Sequence, residues 1–93
     1  MSNRKDDPQK MENMRKWVQA VAKELGVNYA EVSQIEGDLL GLIGKIAHGP
    51  SRPGAPLSAF LVGFSAGQGK TDTKGAIEAI GTLADSWSGA LDK

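Results

Sequence analysis

The chain has no cysteine among its 93 residues. That excludes a disulfide frame, a thiolate nucleophile and a thiolate-held metal. Histidine occurs once, as His48, so a zinc site built from several imidazoles is excluded too. Net charge is lacking: 11 basic side chains balance 11 acidic ones. A chain of this balance has no broad positive footprint for DNA or RNA. No long hydrophobic run occurs either. The longest nearly uncharged stretch, Pro53 to Gly69, is 17 residues and holds two prolines and four glycines, too short and too broken to span a membrane. The opening "MSNRKDDPQKMEN" is polar, with no apolar core of a secretory signal. The expected location is therefore cytoplasmic, and nothing in the sequence calls for a cofactor or a metal.

What is present is helical periodicity. The length suits one domain, with residues 1–7 expected as a disordered polar tail and residues 8–93 as a single helical domain. Asp7-Pro8 reads as an N-cap followed by proline at the first helical position. Behind it Met11, Met14, Val18, Val21 and Leu25 fall on one face. Gly26 is a natural stop, so a helix is predicted over about 8–25. Asn28 and Glu31 have capping-box spacing and predict a short helical turn over about 29–34. Ile35, Leu39, Leu42, Ile43 and Ile46 predict the second long helix, about 35–48. It contains Gly37, Gly41 and Gly44, each costing about 1 kcal/mol against alanine. Either these glycines let a neighbouring helix approach closely, or the helix is weak and starts late.

The third helix is predicted over about 56–67, with Pro56 in its first turn. Leu57, Phe60, Leu61 and Phe64 form one stripe, and Ala59, Gly63 and Gly67 a strip of small residues. A helix without a charged face is surrounded by other helices. This segment is therefore expected at the centre of the domain, or else in a subunit interface. Thr71, Asp72 and Thr73 offer caps for a fourth helix, about 73–90, with Ile77, Ile80, Leu83, Ala84, Trp87 and Leu91 at helical spacing. The predicted fold class is all-α, a small four-helix bundle with short connections. Trp17 and Trp87 are expected in or at the edge of the core, where contact between them would close the domain.

Chemistry-bearing patterns are few. "GQGKT" at 67–71 resembles the end of a phosphate-binding P-loop, but the position needing glycine is Phe64 and the segment leaves a helix rather than a strand. It reads as a helix end and turn. The stretch "AHGPSRPGAPLSAF", Ala47 to Phe60, is more informative. His48 and Arg52 stand in it among Pro50, Pro53 and Pro56. One reading makes a small phosphate or carboxylate site from Arg52, His48 and the free N–H groups opening the third helix. The other is structural: Arg52 caps the last carbonyls of the second helix and pairs with Asp38 or Asp85, while His48 sits where the helix dipole favours a cation. Ser51 and Ser58 lie near His48, with no nucleophile-elbow pattern around them. His48 has no evident orienting partner, so catalysis is not expected.

The segment "AHGPSRPGAPLSAFLVGFSAG" resembles a small actinobacterial domain of unknown function whose core reads A-H-x-x-x-R-P-x-A-P-L-(T/S)-x-F-L-x-G-x-A-A-G. The matching residues are Ala47, His48, Arg52, Pro53, Ala55, Pro56, Leu57, Ser58, Phe60, Leu61, Gly63, Ala66 and Gly67. Gly54 and Ser65 depart from the pattern, since alanine is usual at both. The resemblance covers about residues 14–90. Domains of this kind occur alone, or attached to or beside the guanylyltransferase that makes molybdopterin guanine dinucleotide. The resemblance thus implies an accessory role in molybdenum-cofactor biosynthesis and carries no catalytic residues with it. The function expected is that of a non-enzymatic interaction module, binding a protein partner or a second copy of itself. A small anion or nucleotide-binding domain is the alternative. Candidate contact residues are His48, Arg52, Pro53, Pro56 and Ser58.

Overall fold

The computed structural model describes residues 7–87. The described residues are all-α, with five helices: α1 (Pro8–Leu25), α2 (Tyr29–Ser33), α3 (Glu36–Ala47), α4 (Gly54–Gly67) and α5 (Thr73–Ser86). The described residues divide into two compact units, parted between Gln34 and Ile35. The expected tail lies, apart from Asp7, outside the described residues, as does the predicted continuation of the last helix over 88–90.

The first unit is α1 followed by α2. Asp7 caps α1, its side chain accepting from the Gln9 N–H at 3.0 Å, and Pro8 occupies the first helical position. Proline is tolerated there because its missing N–H would have no intrahelical acceptor. The helix stops at Gly26, whose φ of 73° is left-handed. That turn lets Val27 N–H reach the Ala22 carbonyl at 2.8 Å, satisfying an acceptor the helix leaves open. Asn28 caps α2 through the Ala30 N–H at 2.9 Å. The Glu31 N–H goes instead to the Asn28 main-chain carbonyl at 3.0 Å, so the expected cap forms one residue earlier than capping-box geometry places it.

The second unit is built on α3, α4 and α5, which share one core. Leu42 and Ile46 of α3, Ala55 and Val62 of α4, and Ala76 and Ile77 of α5 are buried together. Ile35, Leu39, Ile43, Ile80 and Ala84 pack around them. In α3 the buried stripe is the one the sequence periodicity predicts. In α5 Ile77, Ile80 and Ala84 turn inward as predicted, joined by Ala76, while Leu83 and Trp87 of the expected stripe are exposed and Leu91 lies outside the described residues. In α4 the predicted stripe is not the buried one. The residues turned inward are Ala55 and Val62, with Ala59 and Ala66 half-buried on the same side. Their short side chains let α4 lie close to its neighbours.

The outer side of α4 corrects the expectation of a sheathed central helix. Leu57, Phe60, Leu61 and Phe64 are 66%, 63%, 60% and 51% exposed. Positions 55, 59, 62 and 66 form one face of a 3.6-residue helix, and 57, 60, 61 and 64 form the opposite one. Only one of two apolar faces can meet α3 and α5, and the smaller one does. The glycines of α3 do not mediate a close approach either. A Cβ added at Gly37, Gly41 or Gly44 would meet nothing within 4 Å. Trp17 and Trp87 are exposed rather than core residues. Trp17 lies off the Met14–Val18–Val21 side of α1, and Trp87 follows the last turn of α5 in extended conformation.

The α5 N-terminus depends on Asp72, whose carboxylate accepts the Gly75 N–H at 2.7 Å. Asp72→Ala is expected to lower stability by about 1 kcal/mol, and Asp72→Asn by much less. Urea unfolding followed by circular dichroism measures both; an unchanged midpoint for the alanine variant would remove the cap from the account.

Candidate interaction face and the loop before it

The α3–α4 connection is short and internally bonded. His48 is the C-cap residue of α3, and its N–H donates to the Gly44 carbonyl at 3.0 Å. The imidazole Nδ1 lies 2.8 Å from the same carbonyl oxygen, so Nδ1–H is the donor. The Ile46 carbonyl accepts from both Gly49 N–H (3.2 Å) and Ser51 N–H (3.1 Å). The last carbonyls of α3 are therefore satisfied by His48 and by the loop backbone. Arg52, to which the sequence assigned that task, is exposed. Gly49 is required here for space: a Cβ on it would stand 2.9 Å from the Lys45 carbonyl.

The opening of α4 is closed in the same manner. Gly54 N–H donates to Ser51 Oγ at 3.1 Å, and Ala55 N–H to the Arg52 carbonyl at 3.2 Å. Pro56, the third helical residue, has no N–H. The free donors that an anion at this terminus would need are thus used within the loop or missing. Asp38 and Asp85, the partners suggested for Arg52, pair instead with lysines. Lys45 Nζ meets Asp85 at 3.1 Å, and Lys74 Nζ meets Asp38 at 3.4 Å. Both pairs are solvent-exposed and contribute about 0–1 kcal/mol each. Physically they tie α3 to α5 on the side away from the α4 stripe.

"GQGKT" is a helix end, as its context predicts. Gly69 has φ 78°, a left-handed backbone that glycine adopts without steric cost. Its N–H reaches the Ala66 carbonyl at 3.0 Å, and Lys70 N–H reaches Ser65 at 3.0 Å. Those amides point back into α4 and so form no phosphate cradle. Among the described residues no cluster of three His, Asp or Glu side chains could hold a metal ion. Likewise, no described helix is long and apolar enough to cross a membrane.

The distinctive surface lies on α4 and its junction with α5. Phe60 and Phe64, one turn apart, stack with ring centroids 5.5 Å apart and planes inclined by 19°. Beside them runs a groove of 570 Å³ between α4 and α5, bordered by Leu61, Phe64, Ile80 and Leu83. A smaller hollow of 170 Å³ lies among Ile46, Pro50, Ser58, Leu83 and Trp87. Of the candidate residues, Ser58 lines both depressions. His48, Arg52, Pro53 and Pro56 line neither, and all four are exposed. The residues missed by sequence reasoning are Ile80, Leu83 and Trp87. Their signal was the width of the α5 apolar stripe, broader than one core contact requires.

A family model described as a domain of unknown function (DUF6457) matches residues 9–92, and the chain belongs to that family. No curated protein and no solved structure gives a significant match.

Proposed function

We propose that this DUF6457 chain is a non-enzymatic helical interaction module whose recognition surface is the outer face of α4. The single observation that carries this is the exposed stripe of Leu57, Phe60, Leu61 and Phe64. Four large apolar side chains turned to water on one helix are costly to leave open. Contiguous patches of this kind mark interaction sites. The loop residues His48, Pro53 and Pro56 serve the face indirectly by fixing where α4 starts, and Ser58 joins it at the groove. The resemblance of residues 47–67 to domains found beside molybdopterin guanine dinucleotide guanylyltransferase supports that enzyme as the partner to try first, in an accessory role in the cytoplasm.

Isothermal titration of the full chain into that guanylyltransferase tests the reading. The expected result is a complex with negative heat-capacity change, the mark of apolar burial. Leu57→Asp with Phe64→Asp should weaken it at least 100-fold, and Arg52→Ala should leave it within about threefold. Absence of any complex removes the cofactor-biosynthesis link. A complex indifferent to the Leu57/Phe64 change removes α4 as the recognition surface.

A further inference from the structure

We propose that the occupant of the α4 face is a second copy of this chain, paired about a two-fold axis. The inference rests on the interaction reading above and names what covers this face when no other protein is bound to it. It begins from the shape of the face. Phe60 and Phe64 form a convex ridge, and the groove between α4 and α5 runs directly beside it, with Leu61 and Phe64 as the shared shoulder. A ridge and a groove side by side on one surface are self-complementary. Rotation by a half-turn lays each ridge in the other copy's groove, which is the requirement for an isologous contact. The groove volume of 570 Å³ leaves room for aromatic side chains.

Charge points the same way. No ionisable side chain occurs from Pro53 to Gly69, and Lys70, at the end of the groove, is its one charged lining residue. A partner that placed a charge against this ridge would bury it without a counter-ion. This same face on another copy brings only Lys70, at the groove's end. Gly63 and Gly67, exposed along the other flank of the ridge, have nothing within 4 Å of an added Cβ. Their bare backbone lets a facing helix come close.

The area is sufficient. Exposed portions of Leu57, Phe60, Leu61 and Phe64, with those of Leu83 and Trp87, amount to roughly 600 Å² per copy at about 200 Å² for each large side chain. Two copies then bury about 1,200 Å², the lower bound of specific interfaces. An interface at that lower bound suits a weak dimer in rapid exchange, mostly monomeric at a few micromolar.

Sedimentation velocity of the full chain from 2 µM to 1 mM tests this. The sedimenting species should rise with concentration from the 9.8 kDa monomer toward twice that mass, and Leu61→Asp with Phe64→Asp should remain monomeric. A cross-link needs no disruptive variant, because the chain has no cysteine of its own. Leu61→Cys, on the shoulder shared by ridge and groove and therefore beside the two-fold axis, should form a covalent dimer under mild oxidation at least tenfold faster than Glu78→Cys, which stands on the α3–α5 side. Equal cross-linking rates, or a wild-type monomer at 1 mM, would overturn the second-copy inference. A monomer that still binds a different protein through Leu57 and Phe64 overturns the second-copy inference alone and leaves the interaction module standing.

Discussion

Val62→Asp is expected to unfold the second unit, whereas Leu61→Asp, its neighbour in sequence, leaves helix content and melting temperature near those of the native chain. The two positions differ by one residue and about 100° around α4. Val62 is 3% exposed and sits in the shared core with Leu42, Ile46 and Ile77. A carboxylate placed there has no cationic partner and loses its hydration, which costs several kcal/mol. A small domain has only about 5–15 kcal/mol in total, and a three-helix core stands at the lower end. Leu61, exposed on the groove shoulder, keeps its aspartate in water. Circular dichroism melts at a few micromolar, where association is weak, decide the matter. Equal destabilisation by both substitutions would mean that the large stripe of α4 is packed inside and that the described orientation of this helix is wrong.

Replacing Gly37, Gly41 and Gly44 together by alanine is expected to raise stability by about 2–3 kcal/mol. Each exchange relieves most of glycine's roughly 1 kcal/mol disadvantage in a helix interior, partly by restricting the unfolded chain. Nothing lies within 4 Å of the added methyl at any of the three positions, so no steric term opposes the gain. For a domain of this size the melting temperature should rise by about 10–20 °C. Gly49→Ala provides the opposite sign, since its methyl would press on the Lys45 carbonyl at 2.9 Å. Scanning calorimetry of the triple variant, its three single variants and Gly49→Ala reads both effects. A loss of stability at Gly41 or Gly44 would reveal a helix lying against them and restore the close-approach role that the sequence had suggested.

These two contrasts show where one-dimensional pattern is informative. α3 mixes apolar with charged positions, and there periodicity alone identifies the buried side; in α1 and α5 it does so in part, since Leu25, Leu83 and Trp87 of the expected faces are exposed. In α4 the pattern is degenerate. Ala55, Ala59, Val62 and Ala66 are as uncharged as Leu57, Phe60, Leu61 and Phe64, and hydropathy ranks the larger set as the better core. Packing distance reverses the ranking, because α3 and α5 already carry the large residues and leave room for a thin face only. The same limit applies at the loop. His48 and Arg52 were conspicuous by composition, yet a residue's position relative to the last carbonyls of α3 decided which of the two caps it. Histidine at the C-cap reaches Gly44 with a short side chain, and arginine four residues later remains in solvent.

The amino-acid order by itself determined the helices and most of their ends, through Asp7-Pro8, Gly26, Asn28, Gly69 and Asp72, because capping and φ preferences are local. It also determined the exclusions: no thiol chemistry and no multi-histidine metal site. Which face of α4 turns inward, which carbonyl His48 serves, and where Asp38 and Asp85 find lysines were decided only when α3, α4 and α5 came together. Those outcomes depend on volumes and distances between segments remote in sequence, and residue spacing carries no record of them.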